Sequence, residues 1–130
     1  VGGGSGLAPL WSILNDIAET DPSRSVRFYY GARSKADLFY LDEIASLAEN
    51  LQDFEFIPAL SEQTDVDQWD GAQGFIHECV ASGYPDSGKN ITLDAYACGP
   101  PPMVEAVLPV FQKIGIDADN IHLDKFTPAT

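Results

Sequence analysis

The sequence has few basic residues, and this scarcity excludes two classes of partner. Only 7 of the 130 residues are Lys or Arg, against 20 Asp or Glu, which gives a formal net charge of −13. Such a chain repels phosphate backbones and anionic lipids, and it has no Lys/Arg cluster to overcome the repulsion. We therefore expect neither a nucleic acid nor a membrane surface as a partner.

Cysteines, histidines and long apolar runs are also scarce. Cys79 and Cys98 are too few and too far apart for a CxxC motif, which favours a reduced, cytoplasmic setting over a disulfide. The longest apolar runs, such as Phe54–Leu60, fall far short of the roughly 20 residues that cross a bilayer, and no signal-peptide pattern opens the sequence. His77 and His122 are isolated, so we expect no metal site.

The length and the hydrophobic patterning predict one α/β domain over residues 1–130. Apolar residues make up 45% of the chain, enough for a single core. Stripes at helical spacing alternate with β-branched and aromatic runs, which predicts a Rossmann-like parallel sheet with helices on both faces. Helices are expected over 9–20, 41–51, 75–81 and 103–114, and strands over 26–30, 54–60, 91–97 and 121–126.

The start of the sequence predicts a loop without its strand. Gly2-Gly3-Gly4 is interpreted as a loop that leaves a strand, and that strand is missing or reduced to Val1. We expect the residues upstream of Val1 in the parent protein to include a short strand rich in Val, Ile and Leu.

The strongest chemical signal is the turn Gly4-Ser5-Gly6-Leu7-Ala8-Pro9. A glycine-rich turn that enters a helix offers N–H groups and the positive end of the helix dipole to a pyrophosphate. The turn is neither GxGxxG, because Pro9 replaces the last glycine, nor a P-loop. A tight turn that needs glycine only for positive φ remains an alternative.

A second turn makes the pattern specific. Tyr96-Ala97-Cys98-Gly99-Pro100-Pro101-Pro102-Met103 again joins a strand to a helix. With Tyr30-Gly31-Ala32-Arg33 and Asp124-Lys125-Phe126, the four motifs resemble the pyridine-nucleotide domain of the ferredoxin–NADP reductase superfamily. Within it, the chain is most similar to the reductase components of bacterial multicomponent monooxygenases of the phenol, toluene and methane types.

This resemblance implies the NADH-binding half of a flavin-dependent reductase. Hydride would pass from NADH to FAD, and electrons would pass on to an oxygenase or an iron–sulfur partner. The sequence contains neither the family's Arg-x-Tyr-Ser-type flavin segment nor a four-cysteine iron–sulfur motif. We therefore expect a flavin-binding domain of the same protein outside these residues, and no turnover by this fragment alone.

The resemblance also implies roles for individual residues. Cys98 would lie beside the reacting carbon of the nicotinamide without acting as a covalent nucleophile, although a small buried residue is the alternative. Asp124 matches a family carboxylate, and its role stays open. The residues expected to contact the cofactors are Gly4, Ser5, Gly6, Pro9, Arg33, Gly99, Pro100 and Phe126, the last of them beside the flavin.

Cofactor choice is argued from charge at Glu62. Relatives that take the phosphorylated cofactor grip its 2′-phosphate with a Ser-Arg pair, where this chain has Leu60-Ser61-Glu62-Gln63-Thr64. A carboxylate repels a phosphate but accepts hydrogen bonds from free ribose hydroxyls, so NADH is the predicted cofactor. The alternative is that Glu62 is a solvated loop charge.

Two other functions remain as alternatives. A stand-alone NAD-dependent dehydrogenase would need a catalytic Tyr/Lys or His/Asp set near the nicotinamide, and none stands out. A non-catalytic nucleotide-binding or interaction module would use the acidic surface for docking.

Overall fold

The structure is a computed structural model that describes residues 1–3, 7–34, 38, 40–62, 72–84 and 93–125. A 3-10 turn at Ala118–Asn120 leads into the last strand. In chain order the strands and helices are β1 (Gly2–Gly3), α1 (Leu7–Thr20), β2 (Ser25–Ala32), α2 (Leu41–Ala48), β3 (Asp53–Leu60), β4 (Ala72–Gln73), α3 (Ile76–Gly83), β5 (Ala95–Gly99), α4 (Pro101–Ile114) and β6 (Ile121–Lys125).

The strands form one sheet in the order β4-β3-β2-β1-β5-β6. Every neighbouring pair is parallel. From β1 the chain first moves outward through β2, β3 and β4, then returns to the other side of β1 for β5 and β6. The predicted parallel α/β sheet is confirmed, and its strand order reverses between β1 and β5.

Helices cover both faces of the sheet, as predicted, and each face has its own core. Leu10, Leu14, Ile44 and Leu47 of α1 and α2 pack on one face. We call this the α1–α2 core; its other buried members are Phe28, Tyr30, Leu38, Leu51, Leu60 and Cys98. The α3–α4 core on the opposite face contains Tyr29, Ala59, Ile76, Val80, Ala95, Ala97, Val107, Phe111, Ile114 and Ile116.

The interpretation of Gly2-Gly3 as a loop is wrong, because both residues form the central strand β1. A Cβ on Gly2 would lie 2.7 Å from Leu10 Cδ1, and a Cβ on Gly3 would lie 2.5 Å from Met103 Sδ. The glycines therefore let helices from both faces close over the strand. Sequence patterning misses this because a strand of two glycines carries no alternation.

Another strand has different bounds from those predicted, and one strand is not predicted at all. The strand expected over 91–97 runs from Ala95 to Gly99, so Cys98 and Gly99 are its last residues and not a turn. Positions 91 and 92 lie outside the described residues. β4 was not predicted, since two residues are too short for periodicity. Among the described helices, none is long and apolar enough to cross a membrane.

The amino group of Val1 lies in the sheet beside β1. It donates to the Tyr96 carbonyl at 2.7 Å, and the Val1 carbonyl accepts from the Cys98 N–H at 3.0 Å. Val1 therefore continues the line of β1 along β5.

Candidate nucleotide-binding edge

The carboxyl ends of the parallel strands meet at one edge of the sheet, which we call the carboxyl edge. Gly3 ends β1 and Gly99 ends β5, on either side of the point where the strand order reverses. In open α/β sheets the connections leave such a switch point in opposite directions and open a crevice there. The two turns that the sequence singled out follow these two strands.

The structure describes part of the predicted site at this point. Pro9 lies half-buried in the first turn of α1. Cys98 and Gly99 end β5, and Pro100 is the exposed N-cap of α4. These residues come from the two elements that flank the switch point. Gly4, Ser5, Gly6 and Phe126 lie outside the described residues.

β1 and β5 approach each other closely at Gly99. A Cβ on Gly99 would lie 3.1 Å from the Gly3 carbonyl and 2.8 Å from Met103 Cε. Met103 therefore fills the space beside both strand ends. The absence of side chains at Gly3 and Gly99 leaves backbone as the surface of the crevice.

The electrostatics of the helix starts single out the same point. α1 and α4, which follow β1 and β5, have no acidic residue in the first turn. α2 carries Asp42 and Glu43 in its first turn, and α3 carries Glu78. The chain has a net charge of −13. Even so, no carboxylate in the first turn cancels the partial positive charge at the two helix starts beside the switch point.

The two helix starts differ in the hydrogen bonds they can offer. Pro101 and Pro102 have no N–H, and the N–H groups of Met103 and Val104 donate to the Pro100 carbonyl at 3.0 and 3.2 Å. The first turn of α4 therefore presents a mostly apolar surface with no free N–H. α1 starts at Leu7 and has its proline only at its third residue, so it retains N–H donors.

Cys98 is buried, with 6% of its surface exposed, and its side chain belongs to the α1–α2 core. Burial raises the pKa of its thiol, and the Asp124 carboxylate, on the residue paired with Cys98 in β6, raises it further. The thiol is therefore neutral at pH 7 and a poor nucleophile. Cys79 packs against the opposite core, so the two cysteines do not pair.

Arg33 and Glu62 are brought together at the ends of β2 and β3. The Glu62 N–H donates to the Arg33 carbonyl at 2.8 Å, and the Ser61 N–H donates to the Ala32 carbonyl at 2.9 Å. Both Arg33 and Glu62 have exposed side chains. A guanidinium and a carboxylate thus flank the carboxyl edge on the β2–β3 side of the switch point.

Sequence reasoning missed Phe75. It follows β4 and Gly74, and it is 61% exposed, the most exposed large apolar side chain among the described residues. Leu60 pairs with Gln73, so Phe75 follows β4 as Glu62 follows β3. Its ring stacks on His77 with centroids 5.9 Å apart. An aromatic two residues beyond a recognised strand end is a usable signal, but β4 itself was not recognised.

Two other candidate residues, His122 and Asp124, lie on the edge strand β6. His122 stacks on Tyr96 with centroids 4.8 Å apart. Asp124 is exposed on the edge strand β6. Across the described residues, no three His, Cys, Asp or Glu side chains come together as metal ligands would.

Comparisons with known proteins agree with this geometry. The family model described as the oxidoreductase NAD-binding domain matches residues 1–108. The reductase component of propane 2-monooxygenase from Rhodococcus jostii is 45% identical over 98% of the chain, which covers 34% of that protein. One component of the Na(+)-translocating NADH-quinone reductase from Idiomarina loihiensis is 39% identical over 97% of the chain, which covers 31% of it.

A solved structure gives the same result. The cytochrome P450 reductase GcoB from Amycolatopsis superposes with a TM-score of 0.86 and 39% sequence identity. The match covers 99% of this chain and 37% of GcoB. The chain therefore spans about a third of the length of each of these three proteins.

The close approach at Gly99 predicts the effect of a single methyl group. Gly99→Ala should lower the free energy of unfolding by roughly 1–3 kcal/mol, because its Cβ meets both Met103 and the Gly3 carbonyl. Chemical denaturation of Gly99→Ala, Met103→Ala and the double variant separates the two contacts. The loss should shrink, without vanishing, in the Met103→Ala background; full stability of Gly99→Ala would contradict the described approach.

Proposed function

Because this chain belongs to the oxidoreductase NAD-binding domain family, we propose that it is the NADH-binding half of a flavin-dependent reductase. The observation that carries the proposal is the reversal of strand order between β1 and β5, with two helix starts there that have no acidic residue in the first turn. The reaction class is hydride transfer from NADH to FAD, followed by electron transfer to an oxygenase or iron–sulfur protein. The FAD would lie in a flavin-binding domain outside these residues.

The unequal helix starts support one orientation of the dinucleotide. A pyrophosphate needs N–H donors, and α1 supplies them where α4 does not. Gly4, Ser5, Gly6 and Pro9 are therefore assigned to the pyrophosphate. The apolar turn at Gly99 and Pro100 suits a flat ring, so we assign it to the nicotinamide.

Cys98 is proposed as the residue that fixes the nicotinamide ring. A buried neutral thiol adds no charge beside the reacting carbon and forms no covalent bond with it. When bound, NADH supplies the hydride. The contribution of Cys98 is steric and is confined to ring position.

The β2–β3 side of the edge suits the adenosine. Glu62 would accept hydrogen bonds from the ribose hydroxyls and would repel a 2′-phosphate. Arg33 is held next to it through the Glu62–Arg33 backbone bond. The exposed ring of Phe75 offers a stacking surface for a planar base.

The flavin side of the proposal depends on the far end of the chain. Phe126 follows Lys125, the last residue of β6, and is assigned to the flavin by its resemblance. The acceptor beyond FAD is an oxygenase or an iron–sulfur partner. The relatives include both a reductase component of an oxygenase and a component of a quinone reductase.

The deciding experiment joins the chain to its flavin-binding domain and follows flavin absorbance after NADH is added. We expect rapid bleaching of the flavin, and Cys98→Ala should slow that step more than it weakens NADH binding. Cys79→Ala, which removes the cysteine on the opposite face, is the matched control and should leave both unchanged.

Two results would overturn this proposal. Binding of NADH without flavin reduction would favour the non-catalytic module. Equal losses of binding and transfer in Cys98→Ala, or no loss, would remove Cys98 from the nicotinamide site.

The role of Glu62 predicts a change of cofactor preference. Glu62→Arg should raise kcat/KM for NADPH relative to NADH by about ten- to a hundredfold, because repulsion is lost and a guanidinium is gained. The gain should shrink at higher salt, since the pair is exposed and therefore screened. Steady-state rates of the flavin-containing protein with both cofactors give the ratio.

Two control variants separate local from general charge effects. Glu62→Gln removes the carboxylate without adding a cation and should give a smaller shift. Glu49→Arg makes the same charge change at the C-terminal end of α2, by the opposite edge of the sheet, and should give none. An unchanged cofactor ratio in Glu62→Arg would make Glu62 a bystander.

A further inference from the structure

The sheet ends in two edge strands of very different length. On one side the edge is β4, which has two residues, and on the other it is β6, which has five. A longer edge strand offers a row of backbone groups to a further strand, whereas a very short one does not. In the described part of the chain no strand pairs with the outer side of β6. The proposed function makes no use of this outer edge.

The direction of the backbone groups alternates along β5. Val1 bonds to the Tyr96 carbonyl and to the Cys98 N–H, so the groups of these two β5 residues point towards β1. The groups of Ala97, which lies between them, therefore point the other way, towards β6.

The same rule orients the backbone groups of β6. Ala97 pairs with Leu123 in a parallel ladder. In such a ladder a residue bonds to the two neighbours of its partner, which here are His122 and Asp124. The N–H and C=O of Leu123 therefore point away from the sheet. The Leu123 side chain is 38% exposed.

The side chains of β6 give the two faces of this edge a different character. His122 stacks on Tyr96 with ring centroids 4.8 Å apart, and Asp124 lies beside Cys98. Both are exposed and lie on the face of the α1–α2 core. Leu123 lies on the opposite face, from which α4 packs on β6. The edge thus presents an imidazole and a carboxylate on one face and an apolar side chain on the other.

We propose that the outer edge of β6 is the interface between two copies of this protein, which pair their β6 strands antiparallel about a two-fold axis at Leu123. The two six-stranded sheets then join into one. Leu123 bonds to the second copy's Leu123, and Ile121 bonds to the second copy's Lys125, through the groups that point outward. Two-fold pairing makes each contact away from the axis occur twice.

The sequence of β6 selects this register. His122 stands opposite the second copy's Asp124, in a non-hydrogen-bonded position, where facing side chains are closest. An axis at Asp124 would place two carboxylates opposite each other, and an axis at His122 would place two imidazoles opposite each other. The axis at Leu123 instead matches a donor with an acceptor. A chain with a net charge of −13 repels its own copy, so complementary groups at the contact favour this pairing over others.

The test measures the association of the flavin-containing protein by sedimentation equilibrium from about 1 µM to 1 mM. We expect a monomer–dimer equilibrium. His122→Asp places carboxylates opposite each other twice and should raise Kd at least about tenfold. The exchange variant His122→Asp/Asp124→His restores the pair and should return Kd to within about threefold of the original. His77→Asp makes the same substitution on α3 and should leave Kd unchanged.

Two further measurements report on the backbone pairing. Leu123→Pro removes the central outward N–H. Proline is tolerated in an edge strand where its nitrogen faces solvent, so the monomer should keep its near-ultraviolet circular dichroism while the dimer is lost. In the original protein the Leu123 amide should exchange roughly tenfold more slowly at the highest concentration than at the lowest. The Asp124 amide, which bonds within the sheet, should be protected at both.

A monomer over the whole concentration range would overturn the proposal. So would an association that His122→Asp leaves unchanged, that the exchange variant fails to restore, or that gives no protection of the Leu123 amide. The charge variants decide the question even where Leu123→Pro fails to fold. These measurements use no nucleotide, so their failure is distinct from failure of the proposed function, which flavin reduction by NADH reports separately.

Discussion

The architecture depends on a central strand that has no side chains. Gly2 and Gly3 leave the space that Leu10 fills from one face and Met103 from the other. A methyl group at Gly2 would have to displace the Leu10 side chain, and one at Gly3 the Met103 side chain. Because β1 and β5 are parallel, the helices that follow them start at the same edge of the sheet. The starts of α1 and α4 therefore border the crevice at the switch point.

Charge distribution and proline placement divide this crevice into two chemically different halves. The chain is strongly acidic, yet the first turns of α1 and α4 contain no carboxylate, whereas those of the other two described α-helices do. Of these two starts, α4 has replaced N–H donors by Pro101 and Pro102, whereas α1 retains its donors at Leu7 and Ala8. An anion is favoured at one half and an uncharged ring at the other, so a dinucleotide has one orientation that satisfies both.

The sequence predicts those helices and strands whose buried residues recur at a regular spacing. The apolar stripe from Leu10 to Ile17 predicts α1, and the apolar run from Phe54 to Leu60 predicts β3. Both elements are long enough for their buried residues to form a recognisable pattern. β1 and β4 have two residues each and no such repeat. Glycine in β1 also imitates loop composition, although here it serves close packing.

For the candidate site, too, the sequence predicts what a local pattern shows and misses what depends on distant contacts. The position of Cys98 at a strand end is readable from its motif, and Glu62 from the strand before it. The Cys98 thiol is kept neutral by its burial in the α1–α2 core and by the charge of Asp124 in β6, and no local pattern reveals either. The sequence does not indicate Phe75 as a site residue, because only the pairing of β4 with β3 places it at the carboxyl edge.

The two ends of β1 are linked by the strand itself. One end leads into the turn assigned to the pyrophosphate, and at the other end Val1 is hydrogen-bonded to Tyr96 and Cys98 of β5. A strand of two glycines has no side chains to anchor it, and its neighbours must therefore supply the rigidity that the turn requires.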